Sequence, residues 1–163
     1  MILRQLKHPS IIRILGYGDE GLIVKPSTRR LENLIYLSME FCEGKLLFDV
    51  CKSNGAMGED VGRYFATQML NSIDYMQQNR VCHRDLKLEN IMVSDKGDLK
   101  ILDFGFAKQK QLDNLKSYRG TFTYMAPEIK EGKTYNGTEA DIFSFGVILF
   151  VIVHGIFPFK EAR

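Results

Sequence analysis

The chain has 163 residues, of which 45% are hydrophobic and 26% are charged, and its formal net charge is +2. These values are typical of one globular domain and exclude disordered and collagen-like chains. The basic residues form no block of like charge, whereas proteins that bind nucleic acids or membrane surfaces concentrate them on one face. We therefore expect neither a nucleic-acid partner nor a membrane partner.

The cysteines and the apolar segments indicate an intracellular protein, with the cytoplasm as the default location. Cys42, Cys51 and Cys82 are too few and too scattered for a disulfide framework, and they lack the spacing of metal ligands. The N-terminal residues contain no apolar segment of the kind found in signal peptides. The most apolar run, 142–153, is shorter than the roughly 20 residues needed to cross a bilayer, and it predicts a buried core helix.

The first third of the chain predicts a short helix and two strands. Residues 1–7 show helical periodicity, which a His-Pro pair ends. The runs 11–15 and 34–39 are rich in β-branched and aromatic residues and flank a polar stretch with several glycines. This pattern predicts an antiparallel pair with a long turn. We interpret 21–33 as an insertion between the strands, with Arg29-Arg30 in solvent.

The rest of the chain predicts mostly helix. Apolar residues recur at intervals of three and four over 61–76, which indicates an amphipathic helix. The runs 91–93 and 99–102 flank a polar turn at hairpin spacing. Residues 104–124 show no periodicity and predict an exposed loop. The final helix is apolar all round, so we expect it to be enclosed by the fold, and Thr138–Asp141 matches a capping box.

One glycine motif resembles a dinucleotide-binding fingerprint but lacks its context. Residues 16–21 match G-x-G-x-x-G, and an acid, Glu40, follows about 20 residues later. The fingerprint requires Gly21 to lie in the first turn of a helix, but Pro26 and β-branched residues follow it. We therefore predict a turn between strands rather than a cofactor loop.

Three motifs identify a family. Residues 83–90 match H-R-D-L-x-x-x-N, 103–105 read Asp-Phe-Gly, and 126–128 read Ala-Pro-Glu. Their order and spacing resemble those of serine/threonine protein kinases, a motif set that is well described for the family. The resemblance implies an α+β, protein-kinase-like fold. It divides the chain into a truncated N-lobe β-sheet over 1–40, with the end of a helix, and a hinge and mostly helical C-lobe over 41–163.

The resemblance implies transfer of the γ-phosphate of Mg-ATP to serine or threonine hydroxyls of a protein substrate. Asp85 matches the residue that orients the attacking hydroxyl, and Lys87 matches the lysine that reaches the transferred phosphate. Asn90 and Asp103 match the Mg²⁺ ligands, which suits a cation that prefers carboxylate and amide oxygens. Thr121, like Lys87, matches the serine/threonine type rather than the tyrosine type.

A second segment resembles the kinase hinge, which binds adenine through its backbone. In 39–44, Met39 matches the gatekeeper residue, and Glu40 and Cys42 match the residues that contact adenine. Met92 matches the apolar floor under the ring. The alternative is that both methionines are core residues without a role in nucleotide binding.

The resemblance also implies a regulatory pair. Arg84 precedes the matched catalytic Asp, and kinases of this type are commonly activated by a phosphate that pairs with this arginine. Ser117 lies where kinases of the AMP-activated and calcium/calmodulin-dependent groups carry that phosphate. An upstream activating kinase is therefore an expected partner.

Other matched residues have structural roles in the family. Asp141 is either a capping carboxylate or the residue that ties the last helix to the catalytic loop, and we favour the second role. Glu128 matches a glutamate whose arginine partner is missing here, so we expect it to be unpaired. The matches to the stacked regulatory column of active kinases are Leu3, Ile14, His83 and Phe104.

Several departures from the family pattern limit these expectations. The Gly-rich phosphate loop, the strand lysine, its glutamate partner and the final helices have no match in the 163 residues, and Lys25 cannot replace the lysine. We expect a kinase fragment that is inactive as this chain alone, with an unpaired sheet edge and an exposed apolar patch on the last helix. The alternative is a non-catalytic truncated kinase or pseudokinase that binds a protein partner.

The residues expected to contact a peptide substrate also depart from the pattern. Leu46 and Val151 replace two acids of kinases that favour basic substrates, whereas Glu89 remains. We therefore expect a weaker preference for basic residues than those relatives have.

Overall fold

A computed structural model of the protein describes residues 2–24 and 31–159. Arg29-Arg30 and Lys25, considered above, lie outside the described residues. The elements in chain order are a 3₁₀ helix at Ile2–Gln5, β1 Ile14–Val24, β2 Leu31–Met39, β3 Lys45–Leu46, α1 Leu47–Asn54, α2 Gly58–Gln78, β4 Val81–Cys82, a 3₁₀ turn at Leu88–Asn90, β5 Ile91–Val93, β6 Leu99–Ile101, β7 Lys108–Gln109, a 3₁₀ turn at Phe122–Tyr124, α3 Pro127–Lys130 and α4 Gly137–His154.

β1 and β2 form the predicted antiparallel pair, but their extent differs from the prediction. The pairing runs from Ile14 opposite Met39 to Val24 opposite Leu31. Residues 16–21 therefore lie inside β1 and form neither a turn nor a cofactor loop, so the predicted turn was wrong. The glycines have another physical reason, because a Cβ on Gly18 or Gly21 would clash with the ring of Tyr36 on β2.

The β1–β2 pair is a two-stranded sheet of its own within the described residues. Large apolar side chains remain exposed on it, including Leu15, Tyr17, Ile35 and Leu37. An isolated two-stranded sheet is only marginally stable in water. The expected unpaired sheet edge is therefore present in the part of the chain that the structure describes.

The core is built on α2 and α4, which pack against each other. The predicted amphipathic helix is confirmed and extends over Gly58–Gln78. Its apolar face buries Phe65, Met69, Ile73 and Met76 in the same cluster as residues of α4. Burying a side chain of this size stabilises the fold by about 1.5–3 kcal/mol relative to leaving it exposed.

The start of α4 differs from the prediction. The Asn136 side chain accepts hydrogen bonds from the backbone N–H groups of Thr138 and Glu139, so Asn136 is the N-cap and the predicted capping box was wrong. By length and composition α4 is apolar enough to cross a membrane. However, it buries Asp141 and Ser144 within the fold, as a core helix does. Full enclosure was also wrong, since Ile142 is 44% exposed.

The hairpin predicted at 91–93 and 99–102 is confirmed, with β5 paired to β6 and β3 added at the other edge. The exposed loop predicted over 104–124 was wrong in part. β7 within it pairs with β4, and Leu115 forms a bridge with Tyr135 and is buried. These pairings join residues far apart in sequence, so local periodicity does not reveal them.

Gly44 is a position where the fold requires glycine. Its φ is +141°, and a Cβ there would overlap the Val93 carbonyl on β5. We predict that Gly44→Ala lowers the free energy of unfolding by about 2 kcal/mol or more through strain and overpacking. Gly146→Ala is the matched control, because Gly146 lies in α4 with open space around it and alanine should stabilise a helix there by about 0.5–1 kcal/mol. Urea unfolding measures both, and equal effects would contradict the prediction.

Candidate active site

Asp141 ties α4 to the segment 83–90. Its carboxylate accepts hydrogen bonds from the backbone N–H of His83 at 2.7 Å and of Arg84 at 2.8 Å. The carboxyl is fully buried, and burial raises its pKa to about 7, while the two N–H donors oppose that rise. The capping role considered from the sequence belongs to Asn136 instead, and Asp141 fixes the start of the loop.

His83 joins that loop to the segment 102–105. Its Nε2 lies 2.8 Å from the Leu102 carbonyl oxygen, and its ring contacts the Phe104 ring at a centroid distance of 4.7 Å. Burial lowers the pKa of His83, which keeps the ring neutral and lets Nε2–H donate to the carbonyl. Of the other two residues in the predicted column, Leu3 lines a cavity with Phe104, and Ile14 packs against the same core.

Four predicted site residues form one polar network around Asp85, which is buried. The Thr121 hydroxyl donates to one carboxylate oxygen at 2.8 Å, and Lys87 Nζ lies 2.9 Å from the other. Lys87 Nζ also donates to the Thr121 hydroxyl at 2.8 Å. The Asn90 amide donates to the Asp85 carbonyl at 3.0 Å and to its carboxylate at 3.2 Å. The network fixes a carboxylate in one orientation beside an ammonium group.

Asn90 and Asp103 supply oxygens next to this network. The Leu102 N–H donates to the Asn90 carbonyl at 2.8 Å, which holds the two segments side by side. Because the Asn90 amide nitrogen is used by Asp85, its amide oxygen is left for another partner. Asp103 is exposed, and its φ of 51° lies in the left-handed region, a strained conformation that costs about 1–2 kcal/mol for residues other than glycine.

A cavity of about 960 Å³ opens between the segment after β2 and residues 102–105. Its lining is mainly apolar, with Asp103 at one side, and this size suits a small-molecule ligand. The residues predicted to bind a nucleotide all line it: Met39, Glu40, Cys42 and Met92. Burial raises the pKa of the Cys42 thiol, which remains neutral in this wall.

The Glu40 side chain has a partner outside the cavity, which the sequence did not reveal. Its carboxylate accepts from the Arg13 backbone N–H at 2.9 Å and from Lys100 Nζ at 2.7 Å. Burial alone would raise the pKa of Glu40, but these two donors lower it overall. The side chain thus fastens the hairpin to β6, and only the backbone of Glu40 is suited to contact a ligand.

Arg84 contacts the segment in which Ser117 lies. Its Nη1 donates to the Ser117 hydroxyl at 2.7 Å, and its Nε donates to the Phe106 carbonyl at 2.7 Å. The two predicted regulatory residues are therefore in direct contact.

Comparison with known proteins gives the family. The model of the protein kinase domain matches residues 1–163. The chain belongs to the protein kinase domain family. Similar proteins include the CBL-interacting protein kinase 32 of Oryza sativa subsp. japonica, 38% identical over 99% of the chain, and the serine/threonine-protein kinase SRK2F of Arabidopsis thaliana, 39% identical over 97%. The probable serine/threonine-protein kinase MARK-B of Dictyostelium discoideum is 42% identical over 96%.

The kinase domain matched here spans less than half of each of these relatives. The chain corresponds to 35% of the rice protein, 43% of the Arabidopsis protein and 21% of the Dictyostelium protein. The predicted membership among serine/threonine kinases is confirmed, because the similar proteins include named serine/threonine-protein kinases.

One predicted residue of the kinase domain, Glu128, is not part of the Asp85 network. Glu128 lies at the start of α3, and within residues 2–24 and 31–159 its carboxylate makes no ion pair. Sequence reasoning also missed a contact at Glu89, whose carboxylate accepts from the Tyr124 hydroxyl at 3.1 Å. Only the three-dimensional approach of 121–124 to 83–90 creates this bond, so no local pattern signals it.

The Asp141 bonds give a stability prediction for the kinase domain. Asp141→Ala leaves two buried N–H groups, those of His83 and Arg84, without their acceptor. We expect the free energy of unfolding to fall by about 2–4 kcal/mol, the cost of unsatisfied buried polar groups. Urea unfolding of the purified protein measures it. Asp74→Ala, an exposed change on α2, is the control, and a similar loss there would show that Asp141 has no special role.

Proposed function

We propose that this chain carries the phosphoryl-transfer machinery of a serine/threonine protein kinase, which moves the γ-phosphate of Mg-ATP to hydroxyl groups of a protein substrate. The observation that carries the proposal is the polar network in which Asp85 contacts Lys87, Thr121 and Asn90 beside a cavity of nucleotide size. Family membership supports it. Phosphoryl transfer depends mainly on positioning and charge stabilisation, which such a network provides.

In this proposal Asp85 orients the attacking hydroxyl and accepts its proton. A carboxylate that Lys87 and Thr121 hold in one orientation is suited to act as a general base. The Lys87 ammonium lies 2.9 Å from the same carboxylate. Its positive charge would stabilise the transferred phosphate. The Thr121 hydroxyl hydrogen-bonds to both side chains and so fixes their relative position.

The cavity fits the nucleotide. Glu40 and Cys42 would present backbone groups to adenine, Met39 would limit the depth of the pocket as gatekeeper, and Met92 would form its apolar floor. All four residues line the cavity. The lobes would be divided as the resemblance implies, with 1–40 on one side of the cavity and 41–163 on the other.

Asn90 and Asp103 are suited to hold Mg²⁺. They offer an amide and a carboxylate oxygen, the hard ligands that this cation prefers, and Asp103 faces the cavity. A bound Mg²⁺ neutralises charge on the phosphates. In the described part of the chain no three or more His, Cys, Asp or Glu side chains converge, so a cation here would rely on the phosphates for further ligands.

Three free cysteines support an intracellular location.

The 163 residues contain no match to the strand lysine of the family, so we expect little turnover from this chain by itself. The test measures the transfer of labelled phosphate from ATP to a degenerate serine/threonine peptide library, with and without Mg²⁺. It checks the expected inactivity of the isolated chain and the need for Mg²⁺. Clear turnover would overturn the expected inactivity of the isolated chain. Absence of both ATP binding and transfer in the protein isolated from its own cells would instead favour the non-catalytic binding module.

Asp85 gives the direct test in the protein produced in its own cells. We predict that Asp85→Asn lowers turnover about 10²–10⁴-fold, the range for loss of a general base. ATP affinity should stay within about twofold, because Asp85 does not line the cavity. The control is Asp95→Asn in the exposed turn between β5 and β6, which should leave turnover unchanged. Parallel losses of turnover in the two variants would count against the assignment.

The Arg84–Ser117 contact predicts regulation by phosphorylation. A phosphate on Ser117 would add about −1.5 to −2 charge next to a guanidinium group and hold 106–117 in place. We expect phosphatase treatment of protein isolated from its own cells to lower activity about tenfold, equivalent to about 1.4 kcal/mol. Ser117→Ala should show the low activity without treatment, and the exposed Ser53→Ala should behave as wild type. Full activity of Ser117→Ala would remove Ser117 from the mechanism.

A further inference from the structure

Side-chain bonds at two positions connect the loop 83–90 to the segment 121–124, and the bond from Lys87 Nζ to the Thr121 hydroxyl adds to the first of them. At one end Asp85 accepts from Thr121, and at the other end Glu89 accepts from Tyr124. The bonds form two successive rungs of a seam between the segments. A peptide whose hydroxyl reaches Asp85 must place its neighbouring residues along this seam, so the chemistry at Glu89 affects which side chains the peptide carries.

Tyr124 is held rigidly in the seam. The residue is buried, its ring packs edge-on against Phe157 at a centroid distance of 5.5 Å, and its carbonyl accepts from the Ser144 hydroxyl on α4 at 2.9 Å. Burial and the neighbouring Glu89 raise the pKa of Tyr124, so its hydroxyl keeps the proton that it donates. The packed ring and the protonated hydroxyl both favour this bond to Glu89 in the folded state.

Apolar side chains lie beside Tyr124 and on the elements that contact the turn carrying Glu89. Phe157 is 39% exposed beside Tyr124, and Val151 on α4 is buried. β3 and α1 also lie against the turn at Leu88–Asn90, and at this point β3 carries Leu46. In the same turn as Tyr124, the Phe122 ring has the Lys130 ammonium 4.1 Å from its centroid.

We propose that Tyr124 withholds the Glu89 carboxylate from the substrate, so that the seam selects an apolar side chain rather than a cationic one next to the phosphorylated residue. Tyr124 is then a specificity-determining residue. A substrate cation would have to compete with the tyrosine hydroxyl for the carboxylate and would meet Phe157 beside it, whereas an apolar side chain would contact the ring without that competition. This inference rests on the phosphotransfer proposed above.

The test measures kcat/KM for serine peptides that differ at one position, which carries Arg, Gln or Leu, scanned over the four residues on each side of the acceptor. The enzyme is the protein produced in its own cells. Tyr124→Phe should raise the Arg-to-Leu ratio about 2- to 5-fold at the position that reaches Glu89, the range for a partly exposed ion pair. Glu89→Gln alone should leave the wild-type ratio unchanged. The double variant should return the ratio to the wild-type value.

Tyr64→Phe is the matched control, since Tyr64 is a half-exposed tyrosine on α2, and it should change no ratio. An unchanged ratio in Tyr124→Phe overturns the inference, as does a wild-type preference for Arg that Glu89→Gln removes. If Tyr124→Phe does not fold, as measured by circular dichroism, the Glu89→Gln comparison still decides. Failure of the wild type to phosphorylate any peptide would instead overturn the proposed function.

Discussion

The active-site geometry of this chain depends on one buried carboxylate. Asp141 accepts two backbone N–H bonds from His83 and Arg84, and thereby fixes the loop 83–90 to the core helix α4. Removing a carboxylate from water is costly, and the two donors and the charge of Arg84 offset part of that cost. Because α4 is packed against α2 in the core, the loop is fixed to the two longest helices of the described structure.

From that anchor the site is assembled in steps. The His83 ring hydrogen-bonds to the Leu102 carbonyl and so fixes the segment that contains Asp103. Arg84 extends in the other direction to Ser117. Between them Asp85 lies in its polar network, so one loop joins the proposed reaction centre, the proposed cation ligands and the proposed regulatory contact. A phosphate on Ser117 would therefore act on Arg84, the residue next to Asp85.

The hairpin β1–β2 contrasts with this rigid part of the molecule. At its base Glu40 accepts from Arg13 and Lys100, and Ile14 packs against the core, but several of its apolar side chains stay exposed. Yet its end supplies one wall of the cavity through Leu37 and Met39. The ligand cavity thus lies between a well-packed helical body and a sparsely supported sheet, an arrangement in which small movements of the sheet would change the width of the cavity.

The sequence alone determined the family, the residues of the Asp85 network and the amphipathic helix α2, because these depend on local spacing and on short motifs. It also indicated the hairpin β5–β6 through its turn. It did not determine the role of the glycines in β1, the cap at Asn136, the pairing of β7 with β4, or the Tyr124–Glu89 bond. The cap at Asn136 is a local contact, and the Thr-Glu-Ala-Asp sequence just after it fits a competing capping pattern. The other three require contact between residues far apart in the chain, which only the tertiary structure brings together.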